Sequence, residues 1–359
     1  MPAWRHPGLG QPGGSRPPGA QPAWGERFRA TFNGRRYPPA LIALILLAIV
    51  GAAILGHQLG SAPVTTGAAP LRHLAIDNPY AAGGFWYRGN LHVASVRGLG
   101  RDLPSTIGRW YADHGYGFVG ISDANTYTWR SEFGSRTVTG VPVVAASYSF
   151  ADVLAVGTDH WLPASNLQQA DDWIAQDGGL PVLAAPLSSS KPQSVASVIG
   201  VHRLFGLEVY NARLAAAGPG QGDATSFWDR LLSAGNRVYA FAGDDAMGVS
   251  DPAIGRAWVD VLAPSPDPDS LLGSLRQGAF TASTGAGFTA FSVDGTTITA
   301  DAAEGSSLRF IGRGGRLLKA VSSAVASYRA NGDEGYVRVE AIRDDGARAW
   351  SQPFFLSWR

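Results

Sequence analysis

Cysteine is absent from this 359-residue chain, which excludes disulfides and thiolate metal sites and leaves the redox compartment open. Charge is sparse as well, at 16% of residues, and unevenly placed. Residues 1–39 hold six Arg (Arg5, Arg16, Arg27, Arg29, Arg35, Arg36) against Glu26, leaving 23 basic and 27 acidic residues for the remainder. No basic stripe survives outside the N-terminus, so the folded part is not expected to bind nucleic acid. No Gly-x-Ser-x-Gly nucleophile motif occurs, and Ser188 to Ser190 reads as a loop. Between Arg36 and Arg72 there is no Asp, Glu, Lys or Arg.

That charge-free interval contains the longest apolar run of the chain, Ala40 to Gly56. Its length is at the lower end of what spans a bilayer, so residues 40–59 are expected to form one N-terminal transmembrane helix. A cleaved signal peptide is the competing reading, but the segment before the run is unusually long and no small-x-small cleavage site follows it. The Arg cluster just before the run places residues 1–39 in the cytoplasm and the folded body outside, in a single-pass membrane protein. Residues 1–25 are rich in Pro, Gly and Gln, and the whole of 1–39 is expected to be disordered. Residues 60–76 are expected to be a linker, with GSAPVTTGAAP as its flexible core.

Folding information begins in earnest at Phe85 to Thr128, which reads as strand, loop, helix, strand. The first strand, Trp86 to Leu91, delivers His92. Asp102 and Pro104 sit where a helix cap and first turn belong. Ile107, Trp110, Tyr111 and His114 fall at helical spacing and predict one buried stripe, and Gly115 ends the helix. Phe118 to Ile121 predict a second strand, which ends at Asp123. Polar residues at the carboxyl ends of parallel strands are where α/β folds place their sites.

The stretch RGNLHVASVRGLG, followed by a helix and then ISDAN, resembles the opening of the PHP (polymerase and histidinol phosphatase) domain superfamily, in its carbaryl-hydrolase-like metallohydrolase branch. The family pattern is RGNLHxHTxxSDG, then ITDHN. The resemblance implies a phosphoesterase-type hydrolase with two or three metal ions, yet most metal ligands are replaced. His92 matches the first histidine. Ala94 stands at the second, Leu99 at the aspartate of SDG, and Ala124 at the histidine of TDH.

Farther along, VTGVPVVAAS reads as a buried strand, and the resemblance puts a bridging glutamate at Ala145. DVLAVG begins with Asp152 where the family usually has histidine. Asn166 to Gln176 is an amphipathic helix closed by Gly178 and Gly179. PVLAAP has Ala185 at the family's histidine, whereas LFGLEVYN keeps the family form, including Glu208 and Asn211. A further helix covers Thr225 to Ala234. In RVYAFAGDDAMG, Asp244 and Asp245 remain and Met247 replaces the closing histidine. From Phe288 the pattern turns to short alternating strands with Asp-Gly punctuation at 294–295 and 345–346. The expected fold is therefore α/β. The barrel occupies residues 77–287, and a small β-sandwich-like C-terminal domain occupies 288–359. The resemblance makes that barrel a PHP-type distorted (β/α)7-like one.

Of the ligand positions that can be placed, only His92 and Asp245 survive as residual metal ligands. The candidate pocket residues are His92, Asp123, Asp152, Glu208, Asn211, Asp244 and Asp245; Asp123 matches a family position more structural than ligating. Asp244 and Asp245 are adjacent and should face different ways, one structural and one available. His160 and His202 lie in loops without partner spacing. Six losses among the direct metal ligands should abolish a polynuclear centre, since even supporting residues each account for roughly 10–100-fold in metal affinity. Two functions compete. One is a membrane-anchored pseudoenzyme that serves as a binding or scaffold module, attached through residues 40–56, with no cofactor. The other is an active hydrolase of phosphate or related esters with a reduced site, holding a divalent zinc, manganese or iron ion on His92, Asp245 and Glu208 or Asp152.

Overall fold

Apolar alternation through the body builds most of the expected strands, and a computed structural model shows how they join. It describes residues 39–59, 73–134, 136–218 and 220–359. Two compact units result, residues 1–71 and 72–359.

In the first unit, helix α1 runs over Pro39–Leu59. Its described side chains, at 40 and 43–56, are exposed. Among the described residues no helix is long and apolar enough to cross a membrane. The expected transmembrane helix is therefore present as a helix and not established as a span. The unbroken apolar run, Ala40 to Gly56, falls short of the roughly 20 residues that a bilayer core requires. The expected disorder of 1–38 and most of the expected linker lie outside the described residues. The end of that linker is corrected: strand β1 (Leu74–Asp77) pairs antiparallel with the C-terminal strand β19 (Phe354–Trp358). A local reading could not see this contact, because the partner lies at the opposite end of the chain.

The second unit is mixed α/β. Its site-bearing half consists of β2 (Phe85–Asn90), α2 (Pro104–Asp113), β3 (Phe118–Val119), β4 (Thr139–Gly140), β5 (Val143–Ser147), β6 (Asp152–Val156), α3 (Leu167–Gln176), β7 (Leu180–Ala184), α4 (Val195–Val198), β8 (Gly206–Asn211), α5 (Ala212–Ala217), α6 (Thr225–Ser233), β9 (Tyr239–Gly243), β10 (Trp258–Ala263), α7 (Pro268–Arg276) and β11 (Phe280–Ser283). Strands β5 to β9 form one sheet, antiparallel from β5 to β7 and parallel from β7 to β9. Strands β2, β3 and β4 pair in parallel. Two single parallel bridges join the two groups: Ala124, beyond β3, meets Ala145 of β5, and Val93, beyond β2, meets Ala246, beyond β9. The strands thus close into a ring, at one mouth of which the carboxyl ends of the parallel strands meet the amino end of the antiparallel β6.

Strand alternation then divides the core. Leu154, Val156, Leu180, Val182 and Phe241 share one cluster with α7. The intervening Val153, Ala155, Leu183, Leu207 and Ala240 pack with α3 and α6 instead. In α3, Asn166 caps the first turn by accepting from the Gln169 N–H, as its type favours. Helix α2 departs from expectation. Pro104 does occupy the first turn, but Leu103 is the cap residue and its side chain makes no capping bond. Asp102 instead accepts from the Val249 N–H. Ile107 and Tyr111 are buried, whereas His114 is exposed and stacks on Trp110.

The C-terminal strands are β12 (Phe288–Asp294), β13 (Thr297–Ala302), β14 (Ser306–Gly312), β15 (Arg316–Val321), β16 (Val325–Arg329), β17 (Tyr336–Arg343), β18 (Arg348–Trp350) and β19. They enclose a core of their own that includes Ile298, Leu308, Phe310, Val337 and Val339. They do not fold apart, because β18 pairs with β11 and continues the sheet that contains β10 and β2.

One feature of this core opposes its own stability. Asp171, on the inner face of α3, is fully buried, and neither carboxyl oxygen has a hydrogen-bond partner among the described residues. Burial, then repulsion from Asp172, pushes its pKa from 3.8 up to about 8. Below pH 3.8 the carboxyl is neutral in both states. Above it the unfolded chain ionises while the folded one resists, so stability declines with pH until about 8. The Asp171→Asn variant should lose that decline, which urea midpoints measured between pH 4 and 9 will show; an unchanged slope refutes it.

Candidate functional site

At the carboxyl end of the ring, His92 follows β2 and sits between two carboxylates. Its Nδ1–H donates to Glu208 Oε1 at 2.8 Å, and Nε2 lies 3.4 Å from Asp245 Oδ1. Glu208 is held in turn by the Ala185 N–H at 2.8 Å and by Asn211 Nδ2 at 3.0 Å. Asn211 Nδ2 also reaches Asp245 Oδ2 at 3.3 Å, and Arg213 Nε lies 3.6 Å from the same oxygen. Burial alone would lower the His92 pKa, but the charges of Glu208 and Asp245 outweigh it and raise it to about 9. The same contacts overcome burial at Glu208 and hold its carboxyl below the ordinary range. At Asp245 burial wins over the His92 charge, and the pKa rises.

Backbone geometry is specialised around this centre. A Cβ on Gly243 would stand 2.6 Å from Glu208 Oε1 and 2.8 Å from His92 Cβ, so β9 must end in glycine here. Ala185 and Asp245 both adopt left-handed backbone, with φ of 42° and 53°. That conformation costs an alanine roughly 1–2 kcal/mol. At Ala185 the strained turn aims its N–H at Glu208.

Beside the centre lies a cavity of about 250 Å³. It brings together Ala94, Leu99, Ala124, Ala145, Ala185 and Met247, the positions at which the resemblance implies metal ligands. His92, Asp152 and Asp245 also line it. Glu208 and Asn211 are buried behind His92, where they fix its ring. Asp123 and Asp244 are fully buried and do not line the cavity. Asp123 accepts from the Ser95 N–H, Ser95 Oγ and Thr128 Oγ1. Asp244 accepts from Tyr111 Oη and from the N–H groups of Gly255, Arg256 and Ala257. Both are loop anchors, and neither has an oxygen to offer a ligand. His160 pairs with Asp159, and His202 lies in a loop packed on Gln168, both away from the cavity.

Sequence reading missed Lys191 and Arg213. Lys191 Nζ donates to Asp152 Oδ1 at 2.7 Å and to Ser147 Oγ at 2.9 Å. With Ser122, Ser188 and Ser190, these side chains supply most of the remaining polar lining. One signal was available: Lys191 is one of only two lysines in the chain, and it follows a run of three serines.

The residues present do not fit a polynuclear metal centre. His92 Nδ1 is bonded to Glu208 and Nε2 faces Asp245 at 3.4 Å, a surrounding that favours the imidazolium, which has no lone pair to offer. Among the described residues, no group of three or more His, Cys, Asp or Glu side chains is placed to hold a metal ion.

No family model matches the chain, and no curated protein matches it. Among solved structures, it is similar to a two-domain protein from Bacteroides vulgatus described as containing a PHP-like metal-dependent phosphoesterase. That likeness has a TM-score of 0.45 at 10% identity, over 77% of this chain and 95% of the other. An amidohydrolase from Chromobacterium violaceum gives a TM-score of 0.32 at 12% identity, over 45% of this chain and 88% of the other. Neither likeness is high enough to decide a family.

Because His92 neutralises two desolvated carboxylates, His92→Ala should leave buried charge unpaired and lower unfolding free energy by about 3 kcal/mol at pH 7. The loss should shrink below about pH 5, where the carboxylates of the variant can take up protons. Denaturant titrations at the two pH values check this, and a pH-independent loss refutes the ion-pair account.

Proposed function

We propose that this chain is a PHP-type protein of the carbaryl-hydrolase-like branch in which an ion-pair array has replaced the metal centre. On this reading the barrel is a binding module and not a metal-dependent esterase. The observation that carries it is the commitment of both His92 ring nitrogens to Glu208 and Asp245. A metal hydrolase needs converging neutral imidazoles and carboxylates, with one coordination position open for water. Here alanine, leucine and methionine line the positions from which those groups would converge.

Metal analysis of the purified full-length chain tests the proposal. The protein should contain no stoichiometric zinc, iron or manganese, and its melting temperature should be unchanged by strong chelator, since an ion stabilises a fold only as far as it binds the native state. A chelator-induced drop of several degrees, with stoichiometric metal in the untreated sample, would establish the reduced-site hydrolase instead.

The proposal includes attachment to a membrane through residues 40–56, with the preceding segment on the cytoplasmic side. Support comes from the uncharged apolar run and the arginines before it. Protease added to intact cells should digest the body and spare the N-terminus; a protected body overturns this topology.

A further inference from the structure

The cavity beside His92 also carries information about what it holds. Resting on the metal-free reading of this pocket, we propose that its ligand is a small uncharged polyhydroxylated molecule, of the size of a monosaccharide or cyclitol.

Size sets the first limit. About 250 Å³ is just below the roughly 300–1,000 Å³ of pockets that take drug-sized ligands, so a nucleotide or peptide is too large. Charge sets the second. Every cation on the wall is already matched: Lys191 with Asp152, Arg213 with Asp245, and His92 with Asp245 and the buried Glu208. An anionic ligand would have to compete with Asp152 or Asp245 for its cation and lie beside that carboxylate's own negative charge. A cationic ligand meets the same obstacle with the signs reversed.

A hydroxyl group meets none. It donates one hydrogen bond and accepts others, so a single hydroxyl can accept from an ammonium while donating to the neighbouring carboxylate. Lys191 and Asp152 present that combination: their contact runs through Oδ1, and the other carboxylate oxygen takes no part in the pair. Arg213, whose Nε lies 3.6 Å from Asp245 Oδ2, adds a guanidinium donor on the same wall. Ser188 and Ser190, whose hydroxyls are 2.9 Å apart, add two further groups that donate or accept. In the same lining, Ala124, Ala145 and Ala185 offer apolar surface suited to the C–H groups of a ring.

The test is calorimetry on the full-length chain in chelator, with glucose and myo-inositol as neutral probes and inorganic phosphate and acetate as anionic ones. At least one neutral probe should bind in the millimolar range or tighter, with an affinity indifferent to added salt. Lys191→Met should weaken that binding about tenfold, the worth of one hydrogen bond to a charged group. Ala145→Leu should abolish it by filling the cavity. Ser188→Ala, at a half-exposed position where folding is not at stake, should weaken it several-fold. Absence of binding by both neutral probes, or salt-sensitive binding of phosphate or acetate alone, overturns the inference and leaves the metal-free reading standing. Binding of a neutral probe only after zinc or manganese is added overturns the metal-free reading itself.

Discussion

A histidinium trapped between two carboxylates is the constraint around which the rest of the site is arranged. Desolvating three charged groups is affordable only if each meets an opposite charge and its remaining hydrogen-bonding positions are filled. Glu208 meets that requirement with the Ala185 N–H and Asn211, and Asp245 meets it with Asn211 and Arg213. These demands reach into the backbone. Ala185 accepts a left-handed conformation to direct its N–H, and β9 ends in a glycine because no Cβ fits between Glu208 and His92. Strain of this kind persists only where the surroundings over-determine it.

A fold can lose a metal centre in two physically different ways. If ligands are simply deleted, the surviving carboxylates and imidazole are left buried without partners, and the fold suffers for each. If cations take over the work of the metal, the strand ends can keep their geometry. On the metal-free reading proposed above, this protein follows the second route: Lys191 stands against Asp152 and Arg213 against Asp245, both supplied from segments that follow the strands. The alanines then cost little, because a methyl group needs no partner and leaves room behind it.

How much of this was legible beforehand depends on whether the signal was local. Strand and helix positions followed from apolar spacing, whereas the converging positions Ala94, Leu99, Ala124, Ala145, Ala185 and Met247 came from the resemblance to the PHP pattern, since no residue there carries a chemical signal of its own. Asp102 shows the opposite case. Its side chain had two possible uses, capping α2 or receiving the Val249 N–H, and only the chain's return at 249 decides between them. Lys191 and Arg213 were missed for the same reason, since a cation in a loop acquires meaning only from the carboxylate it reaches. Asp123 and Asp244 were counted among the pocket candidates because a carboxylate at a strand end can face the mouth or anchor a loop, and no spacing rule separates the two roles.

The C-terminal strands were read as a separate appendage because alternation in 288–359 is complete enough to build a core by itself. The junction argues otherwise, through charge. Arg338 on β17 is almost wholly buried, and its guanidinium donates through Nε and Nη2 to Asp229 of α6 and through Nη1 to Glu340. Tyr336 Oη donates to the same Asp229 carboxylate. Separating β17 from α6 would break the bidentate pair, leaving Asp229 short of three donors and Arg338 with only Glu340 of its own strand, a larger cost than parting two apolar surfaces of similar area. The continuous β11–β18 pairing adds backbone bonds to the same boundary. The strands that carry Glu208 and Asp245 therefore rest on helices that the C-terminal strands help to hold, and the ring mouth is shaped by residues more than a hundred positions away in sequence.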